Sequence, residues 1–233
     1  MSSEPDGGNR PAADTAVRVH RWLVAIVVLI MGADLVLIVL ERQWLNAFLI
    51  VAIMSVILLP AIFQRHLPVK VPAEMQILAL VFVFAALFLG EMRSYYDRIW
   101  WWDIALHASS GLLLGILGFL LVYVLNESRN IDLHMRPRFV ALFAFLFAVA
   151  VGALWEIFEF SMDQLFGLRM QKPMFDDPSG LTDTMWDLIL DSAGALVISL
   201  LGWWYMHRGT RSFIETWIQK FIARNPRLFD SSR

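Results

Sequence analysis

Six apolar segments of 19 to 25 residues dominate this 233-residue chain, and they leave it few folds. They run roughly Trp22–Leu40, Leu45–Phe63, Ala73–Met92, Trp101–Leu125, Phe139–Met162 and Thr184–Met206. A helix of about twenty residues reaches about 30 Å, the thickness of a bilayer's hydrocarbon core. Inside lipid every backbone N–H and C=O must be paired within the protein, which only helices and closed barrels achieve. A barrel would show short alternating strands. The expected class is therefore all-α, a polytopic six-helix transmembrane bundle. Apolar residues surround each segment, as on helices that face lipid. Only 17% of the residues are charged, against about a quarter in a soluble domain.

The flanks complete the organisation. Residues 1–20 are polar and rich in small side chains and are expected to form a disordered cytoplasmic tail. The apolar run that follows is too long for a signal peptide and lacks a small-x-small cleavage site, so it is expected to stay uncleaved. Residues 21–207 form the six-span membrane domain. In the remaining segment, 208–233, Ile214, Trp217, Ile218, Phe221 and Ile222 share one helical stripe, and Arg211, Lys220 and Arg224 lie off it. That pattern reads as an amphipathic helix on the cytoplasmic leaflet, or as a helix packed against the bundle.

Lysine and arginine set the expected orientation. With alternating spans, fourteen of them fall on the side that holds both termini and five on the other. By the positive-inside rule both termini are cytoplasmic. Tryptophan agrees: Trp22, Trp203 and Trp204 fall near the inner interface, and Trp44, Trp100, Trp101, Trp102, Trp155 and Trp186 near the outer one. The expected location is a bacterial cytoplasmic (inner) membrane, with the lipid bilayer as the main partner. A net charge of −2 gives no reason to expect nucleic acid.

Against this apolar background the ionisable residues inside the spans stand out. Asp103 and His107 are spaced i, i+4 and share a helix face; Glu156 and Glu159 are spaced i, i+3; Asp183, Asp187 and Asp191 form one stripe. At about 1.5 Å per residue, all but Asp183 fall within roughly 4–12 Å of the outer helix ends. Gly194, Ala195, Ile198 and Gly202 continue the acidic stripe, and Gly111-x-x-x-Gly115 offers a second small-residue face, so these helices are expected to pack closely. Asp163 and Asp183 read as solvated helix ends. Asp34 in the first span either joins the cluster or bonds to a neighbouring helix.

A hydrogen bond between membrane helices contributes about 0.6–2 kcal/mol, whereas placing a carboxylate at mid-membrane costs about 2.5 kcal/mol or more. Ser, Thr or Gly would serve packing better, so the acids point to a site. Asp103, His107, Glu156, Glu159, Asp187 and Asp191 are the candidate metal ligands, and His107, Glu156 and Asp187 the candidate catalytic groups. Carboxylates with one imidazole suit Mg²⁺, Mn²⁺ or Ca²⁺, or Zn²⁺ through His107 and two acids. Such an ion can activate water against a lipid or lipid-linked envelope precursor. Two other functions fit the same residues: a cation- or proton-coupled carrier or channel, and a non-enzymatic envelope assembly or stress protein whose acids pair helices.

Other chemistries are excluded or disfavoured. The chain has no cysteine, hence no disulfide, thiol nucleophile or thiolate-bound metal. His107 is the only histidine inside a span, which argues against bis-histidine haem. No Walker-type phosphate loop is present. Ser109 and Ser110 lie near His107, but hydroxyls in membrane helices commonly bond to their own backbone.

"WDIALHASSGLLLG", "ALWEIFEF" and "GLTDTMWDLILDSAGAL" resemble the uncharacterised bacterial inner-membrane proteins typified by YjdF, over about residues 95–200. Asp103, His107, Glu156, Glu159, Asp183, Thr184 and Asp187 fall on the motifs of that family. A more distant likeness to VanZ-like membrane proteins lies in the order of Asp/His, Glu and late Asp before Gly. The chain departs from the YjdF pattern at Thr182, where the family has Trp, and at Asp191, where it is apolar. The resemblance implies a fold and a site position, and it implies no activity.

Overall fold

The computed structural model describes residues 10–63, 70–127, 135–208 and 213–225, and apart from one antiparallel bridge between Met174 and Asp177 its regular structure is helical. The helices are α1 (Arg10–Leu40), α2 (Trp44–Phe63), α3 (Ala73–Val83), α4 (Tyr95–Arg98), α5 (Trp102–Glu127), α6 (Pro137–Phe166), α7 (Leu181–Arg208) and α8 (Phe213–Arg224). Five are long and apolar enough to cross a membrane, over Thr15–Leu40, Ala73–Met92, Trp102–Tyr123, Pro137–Phe166 and Leu181–Arg208. The second expected span lies in α2, where Trp44–Pro60 forms a shorter apolar helix. Pro60 sits inside it and removes a backbone donor.

One expectation changes. The segment expected to be disordered to residue 20 is helical from Arg10, while residues 1–9 lie outside the described residues. Extending an established helix needs no new nucleus, so polar residues upstream of a span can continue it. The chain divides into two compact units, Met1–Ile99 and Trp100–Arg233.

In the first unit α1 packs on α2 and α3 around Met31 and Ile50, both fully buried, with Val27, Leu80 and Phe88 beside them. α3 continues over Phe84–Met92 in wider π-type turns, one of which carries the Arg93 N–H to the Phe88 carbonyl. A Cβ on Gly90 would overlap the Tyr96 ring, so that glycine admits α4 against the π segment. The first unit also settles the fate of Asp34: its carboxylate is buried and pairs with Arg93 at 3.0 Å.

In the second unit α5, α6 and α7 pack on one another. α6 buries Ala141, Ala144, Ala148, Gly152, Glu156 and Glu159 along one stripe. α7 buries Asp183, Asp187, Asp191, Gly194, Ala195, Ile198, Ser199 and Gly202. Small residues and acids thus occupy the same faces. α5 and α7 meet backbone to backbone: a Cβ on Gly111 would overlap the Asp191 carbonyl oxygen, and one on Gly194 that of Ala108. The C-terminal stripe takes the second of its two expected roles in part. Phe221 is buried, α8 packs on α5, and Gln219 Nε2 donates to Tyr123 Oη at 3.2 Å. Outward faces are apolar, with Leu154, Ile157, Ile189 and Leu200 each more than half exposed, as lipid contact requires.

Candidate metal centre

The close crossing of α5 and α7 brings His107 among three carboxylates. Its Nε2 lies 3.6 Å from Asp103 Oδ1 and 3.6 Å from Asp187 Oδ1, and its Nδ1 lies 3.6 Å from Asp191 Oδ1. These separations exceed an N–H···O hydrogen bond, which ends near 3.2 Å. One ligand atom each from Asp103, His107 and Asp187 lies within 4.8 Å of the others, a group able to hold a metal ion. Ligands at about 2.1 Å from a tetrahedral cation stand about 3.4 Å apart, close to the spacing around Nε2.

Burial sharpens the case. Asp187 is 2% exposed, and its Oδ1 has no hydrogen-bond partner among the described residues. The same holds for His107 Nδ1 and for both carboxylate oxygens of Glu156, which is 4% exposed. Native proteins rarely leave buried polar atoms unpaired, and here four such atoms sit in one region. Of these residues Asp187 and His107 belong to the group of three, whose imidazole nitrogen and carboxylate oxygens fit a divalent cation.

The other expected residues surround this group. Glu156 and Glu159 come from α6, within electrostatic range of His107 but outside the set of three. Trp155 Nε1 donates to Glu159 Oε1 at 2.9 Å. Asp191 accepts from the Ser110 hydroxyl, whose oxygen also lies 2.8 Å from the His107 carbonyl oxygen. Ser109 bonds to its own backbone at Ala105, as expected of a hydroxyl in a membrane helix. A Cβ on Gly152 would stand 2.5 Å from Asp191 Oδ2, so α6 makes room for that carboxylate.

Two acids read as solvated ends prove to be anchors. Asp183 is 3% exposed and accepts the Lys172 N–H at 2.7 Å. Asp163 accepts the N–H groups of Met170 and Gln171 at 2.8 and 3.0 Å. Gln171 Nε2 donates to Thr184 Oγ1 at 2.7 Å, which ties the α6–α7 connection to the start of α7. Within that connection, side-chain bonds from Ser179 and Thr182, supported by their backbone N–H groups, hold the Asp177 carboxyl well below the usual aspartate range. Sequence reasoning did not single out Ser110, Gly152 or Asp183 for these roles. Spacing carried a signal for the first two: Ser110 follows His107 by three residues, and Gly152 precedes Glu156 by four.

Span-length helices with lipid-compatible faces around a polar, buried site define an integral, multi-pass membrane protein. Residues 20–208 match the family described as "Predicted membrane protein (DUF2238)", and the chain belongs to that family. The match includes the first three apolar segments, which the motif resemblance over 95–200 did not reach. An "Uncharacterized protein" of Thermotoga maritima is 29% identical over 140 residues, covering 60% of this chain and 67% of that protein. No solved structure matches the chain.

Proposed function

We propose that the chain is a six-span, YjdF-like protein of the bacterial inner membrane, with both termini cytoplasmic. In this reading the Asp103–His107–Asp187 group binds a divalent cation on the extracytoplasmic side and acts on a lipid or lipid-linked envelope precursor. The observation that carries it is the set of 3.6 Å separations around His107 Nε2, too long for hydrogen bonds, with an unpartnered Asp187 Oδ1 on one side. One imidazole with two carboxylates suits Zn²⁺ or Mn²⁺ better than the all-oxygen shells typical of Mg²⁺ and Ca²⁺.

Each residue then has a task. Asp103, His107 and Asp187 hold the ion, which supplies Lewis-acid activation of water when bound. Asp191, fixed by Ser110, faces His107 Nδ1 and orients the ring. Glu156, on whose carboxylate Thr184 is the acting side-chain donor, can take up or deliver a proton, and Trp155 holds Glu159 beside it. The α6–α7 connection, pinned by Asp163 and Asp183, lies at the same end of these helices and shapes access to the site.

Metal analysis of the protein purified in detergent tests this reading. About one divalent ion per chain is expected, with at least a tenfold loss in His107→Ala and in Asp187→Asn. Metal-free wild type, with melting unchanged in both variants, overturns it. Cation or proton flux in proteoliposomes that both substitutions abolish would establish the carrier instead. Lower stability alone would establish the helix-pairing role. For the orientation, a reporter that works only in the cytoplasm is expected to be active at the C-terminus. Activity there from a reporter that works only outside would refute it.

A further inference from the structure

The opposite end of the second unit carries a cavity of about 300 Å³ lined by Arg136, Pro137, Arg138, Trp203 and His207. It lies where α6 begins and α7 ends, roughly 28 Å along α6 from Glu156. Its lining holds two arginines and no acid. Among the described residues neither Arg136 nor Arg138 forms an ion pair. Trp203 stacks on His207 with ring centroids 5.9 Å apart, which gives the cavity a flat aromatic wall and an imidazole edge. Arg208 lies over the Trp204 ring at 4.2 Å and adds a third cation nearby.

We propose that this cavity binds a phosphate group, presented by an anionic phospholipid headgroup. Guanidinium groups match phosphate oxygens in planar, two-point geometry, and two arginines flanking one proline can grip a single phosphate from two directions. The α6 start adds the positive end of a helix dipole, in support of the arginines, although Pro137 has no N–H and those of Phe139 and Val140 donate to the Arg136 carbonyl. Its place at the ends of two span-length helices, beside Trp203 and Trp204, puts it level with lipid headgroups. Basic pockets between membrane helices bind such headgroups. The cavity is separate from the acidic site, and the proposal stands whether or not that site binds metal.

Native mass spectrometry of the whole protein from neutral detergent tests it, with phosphatidylglycerol, phosphatidylcholine and inorganic phosphate as probes. Phosphatidylglycerol is expected to remain bound in preference to phosphatidylcholine. The double variant R136Q/R138Q is expected to weaken that retention roughly thirty-fold, from about a five-fold contribution per arginine near a bilayer surface. Arg138→Gln alone, at an exposed position, should give part of the loss and guards against a double variant that fails to fold. Arg169→Gln, in the α6–α7 connection, should change nothing. Competition by millimolar inorganic phosphate would keep the phosphate site and move its source from lipid to solution. Equal retention of both lipids, or retention unchanged in both arginine variants, overturns the proposal.

Discussion

Gly194→Ala is expected to destabilise the protein by about 3 kcal/mol, lowering its melting temperature in detergent by about 6–12 °C. It should also release any metal held by the second unit. Alanine is the better helix former by about 1 kcal/mol, so propensity alone predicts a gain. The added Cβ, however, would overlap the Ala108 carbonyl oxygen and lie 3.1 Å from the Leu112 nitrogen. Those are backbone atoms and cannot rotate aside, so α5 and α7 must separate. Asp103 and His107 ride on one of these helices and Asp187 and Asp191 on the other. A shift of about an ångström removes the geometry a metal shell needs. Gly32→Ala is the matched control, because nothing lies within 4 Å of the Cβ it would add. It should leave melting and metal content at or above wild type. If Gly194→Ala melts like Gly32→Ala, the close crossing of α5 and α7 is wrong.

How much of this was legible in the sequence depended on which physical signal was strong. The long apolar runs fixed the helical class, because lipid leaves the backbone almost no alternative. The i, i+4 stripes of α5 and α7 predicted which faces meet, since a membrane helix must turn its acids and its smallest residues toward protein. Asp103, His107 and Asp187 could therefore be matched by depth alone, and they do converge. Depth does not fix rotation about the helix axis, so it cannot separate Glu156 and Glu159 from the group of three that Asp103, His107 and Asp187 form. Asp183 reads as a solvated end for a different reason. Its partner is the Lys172 backbone N–H, eleven residues away in an irregular connection that carries no periodicity. The π-type turns of Phe84–Met92 and the division at Ile99 left no comparable trace in the apolar pattern.

Glu156→Gln is expected to act in opposite directions with and without divalent cations. The side chain is 4% exposed, neither carboxylate oxygen makes a full hydrogen bond among the described residues, and the Thr184 hydroxyl is the side-chain donor that acts on it. A carboxylate so weakly paired costs several kcal/mol, and removing its charge without changing its shape relieves that cost. In chelator the variant should therefore be more stable than wild type by about 1–3 kcal/mol, raising its melting temperature by about 2–12 °C. A cation binds the native state only, and at a concentration a hundred times its dissociation constant it stabilises by about 2.7 kcal/mol. The wild type should gain most of that when the metal is restored. The variant has lost a negative charge beside the ion and should gain less, so the two melting curves converge or cross. Glutamine that is neutral in both conditions would mean the carboxylate already has an uncharged role within the helix pack. A variant less stable than wild type in chelator would show that Glu156 is firmly paired, and would remove two of the four orphaned polar atoms on which the metal centre rests.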